Sequence, residues 1–309
     1  MLDVALLGTG GMMPLPNRFL TSLLCRINGS MLLIDCGEGT QITLKRLGWG
    51  FKNIDNIAIT HFHADHISGL PGLLLAIGNA GREDVLNMYG PPGLSRVVNS
   101  LRVIVPELPF EIKFTEWSRD DDASRFLTPD TELKCLPLKH WMPCFAYSLT
   151  LHRRGRFDIE RAKRDNIPMA VWSALQKQDE AEYEGIRYTS DMVLGPMRKG
   201  LTVGYCTDTR PVPDLPDFVR EADLFICEGL YGDASKQEKA ASHMHMTFGE
   251  AAKIAKAANV SELWLTHFSP ALPDPYNYIQ EASNIFPNTV IGKDRMTKTL
   301  AFFEAEGGT

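Results

Sequence analysis

One short stretch of the chain concentrates side chains that bind metal ions: His61-Phe62-His63-Ala64-Asp65-His66. It supplies four potential ligands within six residues, directly after an apolar run of strand length. Imidazole and carboxylate groups suit a borderline divalent cation, and a loop at a strand end can turn alternate side chains inward. The alternative is a polar loop whose histidines face solvent. The spacing of the motif favours a metal site.

A hydrolytic metal site needs further ligands from distant parts of the chain. His140, Asp208 and His267 each follow a short apolar run, as His61 does. We therefore expect one edge of a sheet sandwich to gather them. Asp208 is the natural bridge, because a carboxylate can share its two oxygens between two cations. Taken singly, each of these residues could instead be a capping residue or a hydrogen-bonded core residue.

The elements that must position these residues follow an alternating pattern. Apolar runs of strand length alternate with segments of helical period, which predicts a layered α/β architecture in which helices cover strands. The predicted strands are 4–7, 31–34, 57–59, 133–138, 201–203 and 263–265, and the predicted helices are 41–47, 70–77 and 248–258.

A short internal repeat predicts two related halves. Ile59-Thr60-His61-Phe62 and Leu265-Thr266-His267-Phe268 both place Thr-His-Phe after an apolar strand. Likewise, the acidic segment that follows strand 31–34 has a distant counterpart in Phe225-Ile226-Cys227-Glu228-Gly229.

Length and composition describe an ordinary globular protein of 309 residues, 44% hydrophobic and 23% charged. No apolar stretch reaches the ~18 residues of a membrane span, and the start of the chain does not look like a signal peptide, so we expect a cytoplasmic protein. The six scattered cysteines are expected to be buried thiols. The net charge of −6 argues mildly against a protein that coats nucleic acid but permits local basic patches.

One segment, residues 151–198, breaks the alternating pattern, because it is charged and poor in strands. We interpret it as an insertion that projects from the core; the alternative is an ordinary solvated charged helix. Its first part, 151–164, carries a net charge of +4, from six basic residues against Asp158 and Glu160. The six are Arg153, Arg154, Arg156, Arg161, Lys163 and Arg164.

These motifs resemble the metallo-β-lactamase superfamily and, within it, the ribonuclease Z family of endonucleases that trim tRNA 3′ ends. The histidine motif indicates only the superfamily, whereas Asp35-Cys36-Gly37-Glu38-Gly39-Thr40-Gln41 and His245-Met246-Thr247 point to ribonuclease Z. The match covers nearly the whole chain. Its other blocks are 7–11 with Pro14 and 16–18, Leu138-Lys139-His140 with Tyr147, Asp208-Thr209-Arg210-Pro211, Glu228-Gly229 and His267-Phe268-Ser269.

The resemblance implies a four-layer αβ/βα sandwich spanning residues 1–309, with a projecting arm and a site for two divalent metal ions, zinc by preference. One metal would be held by His61, His63 and His140, and the other by Asp65, His66 and His267, with Asp208 bridging.

By the same resemblance, Asp65 orients or deprotonates the attacking water, and His245 gives a proton to the leaving 3′ oxygen. Glu228 would support His245 through a hydrogen bond. The alternative for His245 is a simple helix-start residue.

The arm of the family grips the tRNA body, so residues 151–198 and their basic side chains are expected to bind RNA phosphates. The family also implies a homodimer. The arm reads Ile167-Pro168-Met169 where bacterial members have Ile-Pro followed by Gly-Pro. Two alternatives to a tRNA 3′ endonuclease therefore stay open: a hydrolase of a small phosphodiester or other ester, and a metal-stabilised binding protein.

Overall fold

A computed structural model describes residues 1–118 and 124–302 of the chain. Within these residues the strands form two sheets of seven strands each and a separate two-stranded hairpin. The first sheet has the spatial order β16 (Thr297–Leu300), β1 (Leu2–Gly8), β2 (Ser22–Ile27), β3 (Ser30–Ile34), β4 (Ile54–Ala58), β5 (Leu86–Gly90) and β6 (Ile112–Glu116). The second has the order β15 (Thr289–Ile291), β14 (Leu263–Thr266), β13 (Leu224–Glu228), β12 (Arg198–Cys206), β9 (Phe145–Arg153), β8 (Thr131–Pro137) and β7 (Ser124–Thr128).

Each sheet combines an antiparallel part with a parallel part. Strands β3 to β6 are parallel in the first sheet, and β12 to β15 are parallel in the second. Because parallel strands end at the same edge of a sheet, the loops after β3 and β4 lie together, as do those after β12, β13 and β14. The amide of Phe145 donates to the carbonyl of Thr60 at 3.1 Å and joins the two edges.

Helices cover the outer faces of both sheets. The helices are α1 (Thr40–Leu47), α2 (Ala64–Ile67), α3 (Leu70–Asn79), α4 (Leu94–Leu101), α5 (Ile159–Arg164), α6 (Met169–Leu175), α7 (Leu215–Phe218), α8 (Gln237–Ser242), α9 (Phe248–Ala257) and α10 (Ile279–Ile285). Helices α1, α3 and α4 pack on the first sheet, and α7, α9 and α10 pack on the second. The four-layer αβ/βα sandwich predicted from the sequence is confirmed. No helix of the described ranges is long and apolar enough to cross a bilayer.

The central core lies between the two sheets. It joins Leu6 and Leu23 of the first sheet to Tyr147, Tyr205 and Trp264 of the second. Burying a large apolar side chain stabilises the fold by about 1.5–3 kcal/mol. The Tyr147 hydroxyl donates to the carbonyl of Ile59 at 2.7 Å, so the polar group of this buried ring is satisfied across the interface.

The predicted helices form where their local signals place them. Pro71 lies in the first turn of α3, where its missing N–H costs nothing. Helix α9 begins with a capping box, in which Thr247 and Glu250 each satisfy the other's backbone N–H. Strand bounds differ by a few residues: the predicted strand 57–59 is β4 at Ile54–Ala58, because backbone pairing with β3 and β5 sets its limits.

The segment predicted as an arm folds around a small hydrophobic cluster of its own, which includes Ala162, Val171, Leu175 and Val193. The first residues of the predicted range, 151–153, complete β9, and Arg198 begins β12. The segment is less poor in strands than its sequence suggested, because it contains the hairpin of β10 (Glu180–Tyr183) and β11 (Ile186–Thr189). Glu184 and Gly185 both have positive φ in its two-residue turn, and each strand of the hairpin has only four residues, too few to stand out in a charged segment.

Candidate metal centre

The residues of the histidine motif and its distant partners meet where the parallel strands end. His61 and His63 lie in the loop after β4, and Asp65 and His66 lie on α2. His267 directly follows β14, Asp208 lies two residues after the end of β12, and both have positive φ, 58° and 46°. Such backbone conformations are uncommon for non-glycine residues and concentrate at functional sites.

The first group of donor atoms contains His61, His63, His140 and Asp208. His61 Nε2 and His140 Nε2 lie 3.0 and 3.2 Å from His63 Nδ1. The same two Nε2 atoms lie 3.6 and 4.0 Å from Asp208 Oδ2. Four ligand atoms thus face a common point.

The second group contains Asp65, His66 and His267 and is completed by the other oxygen of Asp208. The Nε2 atoms of His66 and His267 lie 3.2 Å apart, and each is 3.1 Å from Asp208 Oδ1. Asp65 Oδ2 lies 3.4 Å from His267 Nε2. The two oxygens of Asp208 therefore face different donor groups.

The spacing of these atoms fits a divalent cation in each group. Nitrogen ligands at about 2.0–2.1 Å from a tetrahedral zinc ion are about 3.3 Å apart, close to the separations observed here. Asp208 Oδ1 is buried and has no hydrogen-bond partner among the described residues. An ion between it and the two facing imidazoles satisfies all three groups, and divalent metal use follows from this cluster and from the fold.

The electrostatics of the cluster also suit metal ligands. Burial opposes ionisation of Asp208, but the neighbouring His267 and His66 rings hold its pKa well below its usual range. Burial and the adjacent His66 hold the pKa of His61 well below normal, so this ring is neutral and offers a lone pair.

Asp35 lies on the side of the His66 ring opposite Asp208 and fixes the orientation of that ring. It follows β3 with a φ of 60° and is fully buried. His66 Nδ1 donates to Asp35 Oδ2 at 2.8 Å, which leaves Nε2 as the atom that faces Asp208. The Thr60 amide and hydroxyl both donate to Asp35 Oδ1, at 2.8 and 3.0 Å, and hold the carboxylate in place.

Glu228 contacts His245 as Asp35 contacts His66. His245 Nδ1 lies 3.1 Å from Oε2 of the fully buried Glu228, so Nε2 faces the site, 4.0 Å from Asp208 Oδ2. Burial disfavours the imidazolium, but the Glu228 carboxylate outweighs it and raises the pKa of His245 to about 9. The amides of Thr209 and Met246 also donate to Glu228, at 2.6 and 3.2 Å.

The turn after β1, which contains Gly10 and Gly11, lies at the rim of the centre. The Met12 amide donates to Asp65 Oδ2 at 2.6 Å. Gly11 lies against His267, and a Cβ at this position would come within 2.6 Å of the imidazole ring. A larger residue here would displace the ring or the turn.

An open cleft of about 530 Å³ leads from the surface to both donor groups. Aromatic and basic side chains line its outer part: Trp141, Tyr231, Tyr278, Lys236 and Lys239. These groups suit nucleobases and phosphates, respectively.

The basic residues of the predicted arm do not line this cleft. Arg153 ends β9, and its guanidinium lies 4.7 Å from the centre of the Phe302 ring. Most of the others have a carboxylate within 4.0 Å: Arg154, Arg161, Lys163 and Arg164. Lys163 and Arg164 are nevertheless 62% and 71% exposed, and surface ion pairs of this kind contribute little to stability.

Sequence reasoning missed the supporting roles of Asp35, Thr60 and the Met12 amide. The Asp35 block carried the family resemblance, but only the hydrogen bond to His66 shows what this carboxylate does. The six cysteines are free and buried, as predicted.

Residues 2–157 match a family model described as anti-Pycsar protein Apyc1, and residues 168–268 match a β-lactamase superfamily domain. A ribonuclease Z of Lachnospira eligens is 53% identical over 302 residues, which cover 98% of this chain and 99% of that protein. A ribonuclease Z of Agathobacter rectalis is 54% identical over 304 residues, which cover 98% and 100%.

Solved structures agree with these relatives. The short form of human tRNase Z superposes with a TM-score of 0.70 at 26% identity, covering 97% of this chain and 100% of that one. The metallo-β-lactamase fold protein YhfI of Bacillus subtilis gives 0.69 at 22% identity, with 97% and 100% coverage, and supports the fold. The chain belongs to the ribonuclease Z family, as its motifs predicted.

Proposed function

We propose that this chain uses two zinc ions to remove the 3′ trailer from tRNA precursors. As a ribonuclease Z family member, it is a metal-dependent hydrolase that acts as a tRNA 3′ endoribonuclease. One observation carries the detailed proposal: two groups of donor atoms converge on the two oxygens of Asp208, beside a histidine that a buried carboxylate orients.

We assign one ion to His61, His63 and His140 and the other to Asp65, His66 and His267, with Asp208 between them. Two zinc ions held there would supply an activated water and neutralise charge on the phosphoryl oxygens. Asp208, His245 and His267 form a third group of donor atoms, and His245 Nε2 lies as far from Asp208 Oδ2 as His140 Nε2 does, 4.0 Å. We leave His245 outside the set because Glu228 raises its pKa to about 9, so the ring holds a proton, whereas burial lowers the pKa of His140 and leaves that ring with a lone pair.

The protein side chains then manage the protons of the reaction. Asp65, held by the Met12 amide, orients the attacking water and accepts its proton. The water oxygen bonds to phosphorus, the bond from phosphorus to the 3′ oxygen breaks, and its electron pair goes to that oxygen. His245 donates the proton that converts the oxygen to a hydroxyl. The tRNA keeps a 3′ hydroxyl and the trailer keeps the phosphate.

Three further assignments belong to the same proposal. The arm, 151–198, is an exosite for the tRNA body through its six basic side chains, of which Lys163 and Arg164 are the supporting observation, at 62% and 71% exposed. The chain is a homodimer, and exposed apolar residues at Leu75 on α3 and at Val103 and Ile104 in the 3-10 turn after α4 offer a surface for it. It works in the cytoplasm, the compartment that holds tRNA precursors in the bacteria from which its relatives come.

The test is cleavage of a tRNA precursor with a 3′ trailer by zinc-loaded protein at low and moderate salt. We expect cleavage just after the acceptor stem by the wild type and none by Asp65→Ala. His243→Ala is the matched control, because this histidine lies in the same cleft but is exposed and bonds the Lys239 carbonyl.

Hydrolysis of bis(p-nitrophenyl) phosphate with the precursor left intact would contradict the tRNA assignment and favour the small-phosphodiester alternative. Zinc analysis of the same samples tests the count of two ions, and light scattering coupled to gel filtration tests the dimer.

A further inference from the structure

Arg210 links the loop of Asp208 to the loop of His245. Its guanidinium donates to the backbone carbonyl of His245 and to both oxygens of Glu250, with Nη1 at 3.0 Å from Oε2. The side chains of Arg210 and Glu250 are 17% and 9% exposed. A two-pronged guanidinium–carboxylate pair with so little exposure is both directional and strong.

The backbone of Arg210 is fixed as well. Its amide donates to the carbonyl of Lys139 at 3.1 Å, and the Thr209 hydroxyl accepts from the Lys139 amide at 3.1 Å. Lys139 directly precedes His140. Arg210 therefore joins the segment of the bridging carboxylate to the segments of two site histidines.

Glu250 anchors the other end of this link. Its carboxylate accepts the Thr247 amide at 3.0 Å as part of the capping box that starts α9. The His245 amide donates to the carbonyl of Ala240 at 2.9 Å. The peptide groups on both sides of the His245 Cα are thus held, while Glu228 holds its ring.

We infer that Arg210 is a positioning residue for the reaction: it fixes the backbone of His245 so that Nε2 points at the leaving oxygen. This inference rests on the proposed role of His245 as proton donor. Proton donation requires a donor–acceptor distance within hydrogen-bond reach, and a displacement of about 1 Å can cost about 100-fold in rate. The Glu228 contact holds only Nδ1 of the ring against β13, so a mobile His245 backbone would let the ring pivot about that contact and turn Nε2 away from the leaving oxygen.

Substrates with different leaving groups separate this role from general structural support. The 3′ oxygen of an RNA needs a proton to leave, whereas p-nitrophenolate leaves as a stable anion. Replacing a residue that acts through His245 should therefore lower the rate of RNA cleavage and leave the rate of p-nitrophenyl ester cleavage unchanged. A residue that merely stabilises the fold affects both.

The experiment compares Arg210→Gln and Arg210→Lys on a tRNA precursor and on bis(p-nitrophenyl) phosphate, at saturating substrate. We expect Arg210→Gln to lower kcat on the precursor about 10- to 100-fold and on the diester by less than about threefold. Arg210→Lys should also lower kcat on the precursor, to a large part of the same extent, because an ammonium cannot form the two-pronged pair. Glu250→Gln is a milder variant that keeps the capping box, and it should give the same selectivity if an Arg210 variant does not fold.

The double variant Arg210→Gln/His245→Ala completes the test. If Arg210 acts through His245, it should be no slower on the precursor than His245→Ala alone. Equal losses on both substrates, or a further loss in the His245→Ala background, would overturn the inference and leave the role of His245 intact. If His245→Ala itself lowers both rates equally, the proposed proton donor is wrong and the inference falls with it.

Discussion

Two corners of the molecule pair a buried carboxylate with a histidine, and they use the pair differently. At the β3–β4 corner, Asp35 follows β3 and bonds His66. At the β13–β14 corner, Glu228 ends β13 and bonds His245. Both corners consist of adjacent parallel strands, and the second strand of each continues into Thr-His-Phe.

The difference lies in what surrounds the outward-facing nitrogen. His66 Nε2 is fully buried and lies 3.1 Å from Asp208 and 3.2 Å from His267. His245 Nε2 lies 4.0 Å from Asp208, and its ring lines the open cleft. The first nitrogen is enclosed among other ligands, and the second meets whatever enters the cleft. In both pairs the carboxylate sets the tautomer of the histidine, and the surroundings of the outward-facing nitrogen, enclosed for His66 and open to the cleft for His245, suit the first to holding a metal and the second to moving a proton.

Replacing His66 should have the largest effect of the variants proposed here, and it tests the difference between His66 and His245 directly. His66→Ala should reduce precursor cleavage to background and lower the zinc content of the purified protein, because it removes a ligand from an enclosed group. Metal analysis together with cleavage assays checks this. Unchanged zinc content in His66→Ala would contradict the ligand assignment; His243→Ala serves as the control.

His245→Ala should give the contrasting result. We expect a loss of about 10²- to 10⁴-fold in precursor cleavage, the usual contribution of a general acid, with zinc content unchanged. Loss of zinc in this variant would show that His245 is a ligand and would remove the distinction between the two corners. Parallel measurement of metal content and kcat decides between these results.

Replacing each carboxylate with its amide should produce smaller and different losses. Asp35→Asn weakens the group that accepts the hydrogen bond from the proposed ligand His66. We therefore expect about 10- to 100-fold lower zinc affinity in a chelator competition. Glu228→Gln weakens the group that accepts the hydrogen bond from the proposed proton donor His245. We therefore expect a similar loss in kcat on the precursor at unchanged zinc affinity. Identical effects of the two variants would contradict the division of roles.

Much of this arrangement follows from the sequence. The strand-end positions of His61, Asp208 and His267 predict that they meet, because parallel strands share an edge, and the structure brings them within a few ångströms of one another. The Thr-His-Phe repeat predicts two related halves, which correspond to the two corners. The positions of the motifs therefore predict which ligand residues each loop supplies.

The remaining features depend on contacts between distant segments that leave no local signal. The Met12 amide reaches Asp65, and Arg210 reaches Glu250, through backbone conformations that the residue types alone do not specify. The hairpin at Glu184 and Gly185 is set by a turn of positive φ inside a segment that the sequence predicts only as a charged insertion poor in strands.

The smallest predicted effect compares the two threonines of the repeat. Both are fully buried, but the Thr60 hydroxyl donates to Asp35, at 2.8 Å from Oδ2, whereas the Thr266 hydroxyl has no hydrogen-bond partner among the described residues. Thr60→Val should therefore lower the free energy of unfolding by about 1–3 kcal/mol, because it leaves a buried carboxylate short of a donor. Thr266→Val removes an unsatisfied hydroxyl from the core and should change stability little or raise it by about 1 kcal/mol. Urea unfolding of the two near-isosteric variants measures the difference, and equal losses would show that the corners do not differ in how their carboxylates are held.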